Sequence, residues 1–131
     1  MKISLIAIGF LFSTSFALAG SASVYFISPK PGAEVPTKFH VKFGVKGMKV
    51  EPAGNMTENT GHHHLIVDGE PTPEGTVVPA DATHIHFGKG QTETDLELPP
   101  GKHTLTLQFA NGAHQSYGKA MSATTTVQVK H

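Results

Sequence analysis

The sequence has no cysteine, no tryptophan and no arginine among its 131 residues. Without cysteine the protein has no disulfide, no thiolate nucleophile and no thiolate ligand of the kind that blue-copper electron-transfer sites require. Lysine supplies all ten positive charges, and ten acidic residues balance them to a formal net charge of zero. The chain therefore lacks the excess of positive charge by which proteins bind nucleic acid or anionic membranes.

The sequence also lacks an apolar run long enough to span a membrane. The apolar run at its amino end, Ile3 to Phe12, follows a lysine and leads into small residues that end at Ala19. This arrangement predicts a secretory signal peptide over residues 1–19, cleaved near Ala19, because the run is too short to cross a bilayer. We predict a periplasmic or secreted protein with no membrane insertion after cleavage, folded as a single domain over residues 20–131.

The remaining sequence shows strand periodicity and no sustained helical periodicity. Apolar and polar residues alternate from Phe39 to Lys46 and from His103 to Phe109, as in half-buried strands. Turns rich in proline and glycine separate such segments. Asn111-Gly112 predicts a type I′ hairpin turn, after which His114 begins the returning strand. About seven short strands of this kind predict an all-β fold, an antiparallel immunoglobulin-like β-sandwich.

Five of the nine histidines lie in two short segments, His62-His63-His64 and His84-Ile85-His86. Two histidines at positions i and i+2 of a strand project from the same face, close enough to share one metal ion. The apolar neighbours in each strand should face the core and send these pairs to the opposite side. If the two strands are neighbours, four imidazoles converge on one surface patch, formed by His62, His64, His84 and His86.

Other residues are assigned roles around this patch. His114, just past the hairpin turn, is an additional candidate ligand. His63 points inward, so we predict that it is hydrogen-bonded and orients the ligands from the second coordination shell. Residues 68–82, rich in proline, glycine and threonine, are a candidate cover over the strand that begins at His62. No function is assigned to the other three histidines, His40, His103 and His131.

The ligand set favours copper, because Cu(II) heads the affinity order for imidazole ligands; zinc is the alternative. Three isolated methionines, Met48, Met56 and Met121, could add a thioether for Cu(I), although methionines more often fill gaps in cores. We therefore predict a transition-metal-binding protein for storage, delivery or tolerance, with a periplasmic metal-accepting protein as its partner. The alternative is a non-metal immunoglobulin-like interaction module whose histidines are structural.

Four sequence blocks resemble a bacterial family of small secreted domains, the domain-of-unknown-function family DUF4399. They are Gly61–Leu65, His84–Glu93, Leu98–Leu105 and Met121-Ser122. The resemblance extends over nearly the whole chain that follows the predicted signal peptide. It supplies no established activity, but it implies that the function lies near the first two blocks and His114.

Enzymatic activity is less favoured than binding. The sequence has no G-x-S-x-G elbow and no phosphate-binding glycine loop. The pair His84 and His86 is similar to the paired-histidine strand of copper–zinc superoxide dismutases, which are also periplasmic β-sandwich proteins. The conserved disulfide, the active-site arginine and the order of histidine motifs of that family are missing here. A copper-dependent oxidoreductase is therefore the least favoured of the three alternatives.

Overall fold

The computed structural model describes residues 21–131, so the predicted signal peptide lies outside the described residues. This part of the chain contains nine β-strands, one short 3-10 helix and no α-helix. None of its helices is long and apolar enough to cross a membrane. The strands are β1 (Ser23–Ser28), β2 (Ala33–Val35), β3 (Lys38–Lys46), β4 (Lys49–Val50), β5 (Thr60–Val67), β6 (His84–His86), β7 (Glu93–Glu97), β8 (Gly101–Ala110) and β9 (Ser122–Val129), and the 3-10 helix is Lys119–Met121.

The strands form two sheets. The smaller sheet has the order β1-β3-β7, and the larger one has the order β2-β9-β8-β5-β4, with β6 also paired to β5. All pairs are antiparallel except β2 with β9 and β4 with β5, which are short and lie at sheet edges. The predicted antiparallel β-sandwich is confirmed. Short edge strands raise the number of strands from about seven to nine.

The core lies between the inner faces of the two sheets. Phe39, Val41 and Phe43 of β3 pack in one buried cluster with the inner-facing residues of β5 and β8. Alternation places every second residue of these strands inward, as the sequence pattern predicted. Burying each such side chain stabilises the fold by about 1.5–3 kcal/mol relative to leaving it exposed.

A second buried layer lies on the outer face of the larger sheet, under residues 69–82. Ile66 is fully buried there, although it points away from the inter-sheet core. The side chain of Gln108 accepts a hydrogen bond from the backbone N–H of Thr72 and donates to backbone carbonyls beyond the hairpin. The hydroxyl of Ser116 donates to the carbonyl of Thr72. The predicted cover is therefore present, and buried hydrogen bonds hold it in place.

The turn after β8 differs from the predicted type I′ turn. Neither Asn111 nor Gly112 has a positive φ; the left-handed residue is His114, with φ of 64°. The N–H of His114 donates to the carbonyl of Asn111, which is the pattern of a type I turn followed by a left-handed residue. Gly112 serves close packing instead, because a Cβ there would lie 2.2 Å from the carbonyl oxygen of Asn55.

Candidate metal centre

Four imidazoles from three separate segments meet on the outer face of the larger sheet. We call them the four-histidine cluster: His62 and His64 of β5, His86 of β6 and His114 of the turn. Each offers one ring nitrogen, and these nitrogens all lie within 4.8 Å of one another. In a tetrahedral site with metal–nitrogen bonds of about 2.0–2.1 Å, the ligand nitrogens are about 3.3 Å apart. Modest ring movements therefore suffice for all four nitrogens to reach one ion.

His62 lies at the centre of the cluster. Its Nε2 atom is 3.1 Å from Nε2 of His86 and 3.1 Å from Nδ1 of His114. A neutral imidazole nitrogen carries either one proton or one lone pair, so it cannot form two good hydrogen bonds at once. A cation placed between the rings would accept the lone pairs of all of them. The arrangement therefore suits a metal ion better than it suits a network of hydrogen bonds.

His84, which was predicted to belong to the patch from its spacing to His86, lies outside the cluster. In the antiparallel pairing of β5 with β6, His64 is opposite His86 and Ile66 is opposite His84. The Nδ1 atom of His84 lies 2.7 Å from a carboxylate oxygen of Asp81 instead. Bringing both histidine pairs face to face would require a register shifted by two residues. The fourth place in the cluster is taken by His114.

The turn conformation brings His114 to the site. Ala110 is paired with His62 in the ladder between β8 and β5, so the turn that follows β8 begins beside the cluster. The left-handed conformation costs an L-residue roughly 1–2 kcal/mol, yet histidine rather than glycine occupies this position. The carbonyl of His114 also accepts a hydrogen bond from the N–H of Val78 in the cover. The residue thus joins the cluster to the segment above it.

A glycine makes room for His86. A Cβ built on Gly88 would lie 2.2 Å from Cε1 of the His86 ring and 2.8 Å from its Nε2. Any side chain at position 88 would therefore displace the ring from its place beside His62. Neither sequence periodicity nor ligand spacing pointed to this glycine, because its role depends on where the neighbouring ring lies in space.

The cluster is only partly open to solvent: His86 is exposed and His114 is half-buried, whereas the other two rings are buried. His62 and His64 are 0% and 2% exposed, because residues 69–82 cover the outer face of β5. The cover contributes Val77, Val78, Pro79 and Ala80, which line a cavity together with His64, His86 and His114. The predicted directions of the side chains on β5 are confirmed, but the side that faces away from the core is itself enclosed.

Burial lowers the pKa of three imidazoles of the cluster, those of His62, His64 and His86, and so favours their neutral form. Burial, followed by the charges of neighbouring rings, lowers the pKa of His62 to about 4 and that of His64 to about 3. The pKa of His86 is also lowered, first by burial and then by His114. Neutral imidazole is the form that binds metal, so these rings are ready to act as ligands at neutral pH.

His63 points into the sandwich core, as predicted, but it forms no hydrogen bond. Its ring lies between those of Phe43 and Phe109, with centroid distances of 4.9 and 5.0 Å. Both of its ring nitrogens are buried without a partner among the described residues. Burial lowers its pKa to about 4. The hydrogen-bonded orienting role expected for His63 has no support in this geometry, because an aromatic environment surrounds the ring.

The remaining candidate residues lie outside the cluster. His103 is held between the carboxylate of Asp68 and the carbonyl of Pro99, as a core-edge residue would be. His40 pairs with Asp95 on the exposed face of the smaller sheet. Among the described residues, neither of these aspartates nor any other carboxylate hydrogen-bonds to the four-histidine cluster. Of the methionines, Met121 is part of the core, Met48 packs against it and Met56 is exposed.

The fold and the site together define a β-sandwich domain with a partly buried group of histidines that could hold a metal ion. The chain belongs to the family described as a domain of unknown function (DUF4399), whose model matches residues 41–130. This confirms the resemblance found in the sequence, and the matched region includes the whole four-histidine cluster. No curated protein matches the chain.

Two solved structures are similar to this chain. One is the endo-β-1,4-mannanase from Thermotoga petrophila, with a TM-score of 0.51 and 18% identity over 84% of this chain. The chain spans only 20% of that enzyme, and the likeness concerns the fold alone. The other contains the fibronectin(III)-like modules of Clostridium thermocellum CbhA, with a TM-score of 0.47 and 11% identity, covering 82% of this chain and 96% of that chain.

Proposed function

We propose that this protein binds one transition-metal ion through His62, His64, His86 and His114. One observation carries the proposal: four ring nitrogens from three separate segments lie within 4.8 Å of one another in a partly buried site. Burying polar groups that are not fully hydrogen-bonded costs about 1–3 kcal/mol each. The Nδ1 atoms of His62 and His64 are buried without partners among the described residues, so hydrogen bonds do not offset the cost of burying these two rings.

Copper is the preferred ion, with zinc as the alternative. Four neutral imidazoles provide no thiolate to select a soft ion, and the intrinsic order of affinity then places Cu(II) first. Zinc would accept the same four nitrogens in a tetrahedral arrangement. Metal affinity falls when ligands are protonated, and the lowered pKa values of His62 and His64 limit that competition at neutral pH.

The proposed role is metal storage, delivery or tolerance in the periplasm. This compartment is the one that the predicted signal peptide over residues 1–19 implies. A protein that delivers metal needs a recipient, and a periplasmic metal-accepting protein is the proposed partner. The competing proposal is an immunoglobulin-like interaction module whose histidines only shape the fold.

Isothermal titration of tag-free protein with Cu(II) and with Zn(II) tests the proposal. His84 and His86 provide a matched pair of variants, because they lie two residues apart on one short strand and only His86 belongs to the cluster. We expect His86→Ala and His62→Ala to abolish stoichiometric binding and His84→Ala to leave it unchanged. Weak binding that is equal in all three variants would favour the interaction module. Metal analysis of protein purified from its native compartment identifies the ion.

A further inference from the structure

A cavity adjoins the four-histidine cluster on the side of the cover. Its volume is about 220 Å³, and its lining is His64, Val77, Val78, Pro79, Ala80, His86 and His114. His62 does not line it and lies fully buried at the base of the cluster. A water molecule takes up about 30 Å³ in the liquid, so a single ion among the four nitrogens leaves most of this space unfilled. The cavity is also smaller than the roughly 300–1,000 Å³ of sites for drug-sized ligands.

The charges of the site indicate what the cavity would take. No charged side chain belongs to its lining. Four neutral imidazoles leave a divalent ion with its full charge, and no carboxylate of the described residues hydrogen-bonds to the cluster. The ion would lie against the buried rings of His62 and His64, where an unpaired charge is costly, so an anion from outside would complete the site. Val78 and Pro79 offer such an anion an apolar wall.

We infer that the cavity is a second ligand site, in which a small carboxylate with an apolar body coordinates the bound metal ion. The carboxylate would balance the charge of the ion, and its hydrocarbon part would lie against Val78, Pro79 and Ala80. This inference rests on the proposed metal function. It adds the class of small molecule that the loaded protein recognises, namely short-chain organic monoanions.

The test uses the copper-loaded, tag-free protein, titrated with acetate and with butyrate while the visible absorption band and the electron paramagnetic resonance spectrum of Cu(II) are recorded. We expect both anions to shift the spectra saturably. Butyrate should bind about tenfold more tightly than acetate, since it buries two more methylene groups. Pyridine serves as the uncharged comparison and should bind more weakly than butyrate. Metal-free protein should bind neither carboxylate.

Ala80→Phe is the matched variant, because Ala80 is exposed and lines the cavity without being a candidate ligand. It should keep copper stoichiometry and lose butyrate binding at least about tenfold, as expected for a filled cavity. Ala80→Leu introduces a smaller side chain and should give an intermediate loss of butyrate affinity. This variant tests the same inference if phenylalanine at position 80 disturbs folding. Unchanged spectra, equal affinities for acetate and butyrate, tighter binding of pyridine, or full butyrate binding in both variants would overturn the inference. Failure to bind copper stoichiometrically would instead overturn the proposed function.

Discussion

Acid should destabilise the metal-free protein strongly, because β5 buries three adjacent histidines in neutral form. The pKa values of His62, His63 and His64 are lowered to about 4, 4 and 3 in the folded protein, whereas the ordinary pKa of histidine is 6.5. The unfolded chain therefore binds more protons than the folded one below pH 6.5. Stability is full above that pH and is lost as the pH falls towards the folded pKa values.

The loss of unfolding free energy on acidification can be calculated from the same shifts in pKa. Between about pH 7.5 and pH 5.5, each of the three rings costs the folded state about 1.4 kcal/mol, or about 4 kcal/mol together. A domain of this size has a total free energy of unfolding of about 5–15 kcal/mol. His103 has the opposite effect on stability, because its hydrogen bond to Asp68 raises the pKa of its ring. The stability that this bond contributes is present at low pH and is lost as the pH rises. The net loss on acidification should still be several kcal/mol.

Urea unfolding in the presence of a chelator, followed by circular dichroism at several pH values, measures this loss. His63→Leu is the informative variant, because it replaces an imidazole without hydrogen bonds by an apolar side chain of similar volume. It should raise the free energy of unfolding at neutral pH and remove about one third of the acid sensitivity. A change below about 1 kcal/mol between the two pH values in the parent protein would refute the reasoning that these rings are buried and neutral.

Three further predictions concern single positions around the site. His114→Gly removes one ligand, so it should weaken metal binding by more than the roughly 10–100-fold that follows loss of an outer-shell partner. Urea unfolding of the metal-free variant should show a stability equal to that of the parent protein or up to about 1 kcal/mol higher, because glycine adopts the left-handed conformation without strain. Clear destabilisation would contradict the left-handed conformation of residue 114. Gly88→Ala should displace the ring of His86 and weaken metal binding at least about tenfold in a calorimetric titration. Its far-ultraviolet circular dichroism spectrum should be unchanged. Full metal affinity would show that the ring tolerates a Cβ at position 88. Asp68→Asn should return the raised pKa of His103 towards its ordinary value in a titration followed by nuclear magnetic resonance; an unchanged midpoint would mean that the carboxylate is not its cause.

A local sequence pattern could not predict which histidines belong to the four-histidine cluster. His84 and His86 lie two residues apart on one strand, as a pair of ligands would, yet only His86 belongs to the cluster. The difference comes from the register of β5 with β6, which places Ile66 rather than a histidine opposite His84. Register depends on the packing of the whole strand and its neighbours, so two equivalent residues of a short strand have different surroundings.

The sequence by itself determined the all-β class, the strands that alternate, and the faces on which His62, His63 and His64 lie. These properties are local, because successive side chains of a strand point to opposite sides whatever the strand pairs with. The prediction of histidine pairs on β5 and β6 followed from the same rule, and so did the inward direction of His63. Composition alone excluded a thiolate site.

Only the tertiary structure decided which histidines meet, how deeply they are buried and what covers them. His62 and His114 are 52 residues apart, and their contact depends on a turn whose left-handed residue is histidine although the sequence predicted a different turn. The cover over β5 is held by Gln108 and Ser116, residues that no periodicity singles out. Such contacts depend on the packing of segments that are distant in the sequence. This packing, and not any short stretch of the chain, determines which strand registers and turns have the lowest free energy.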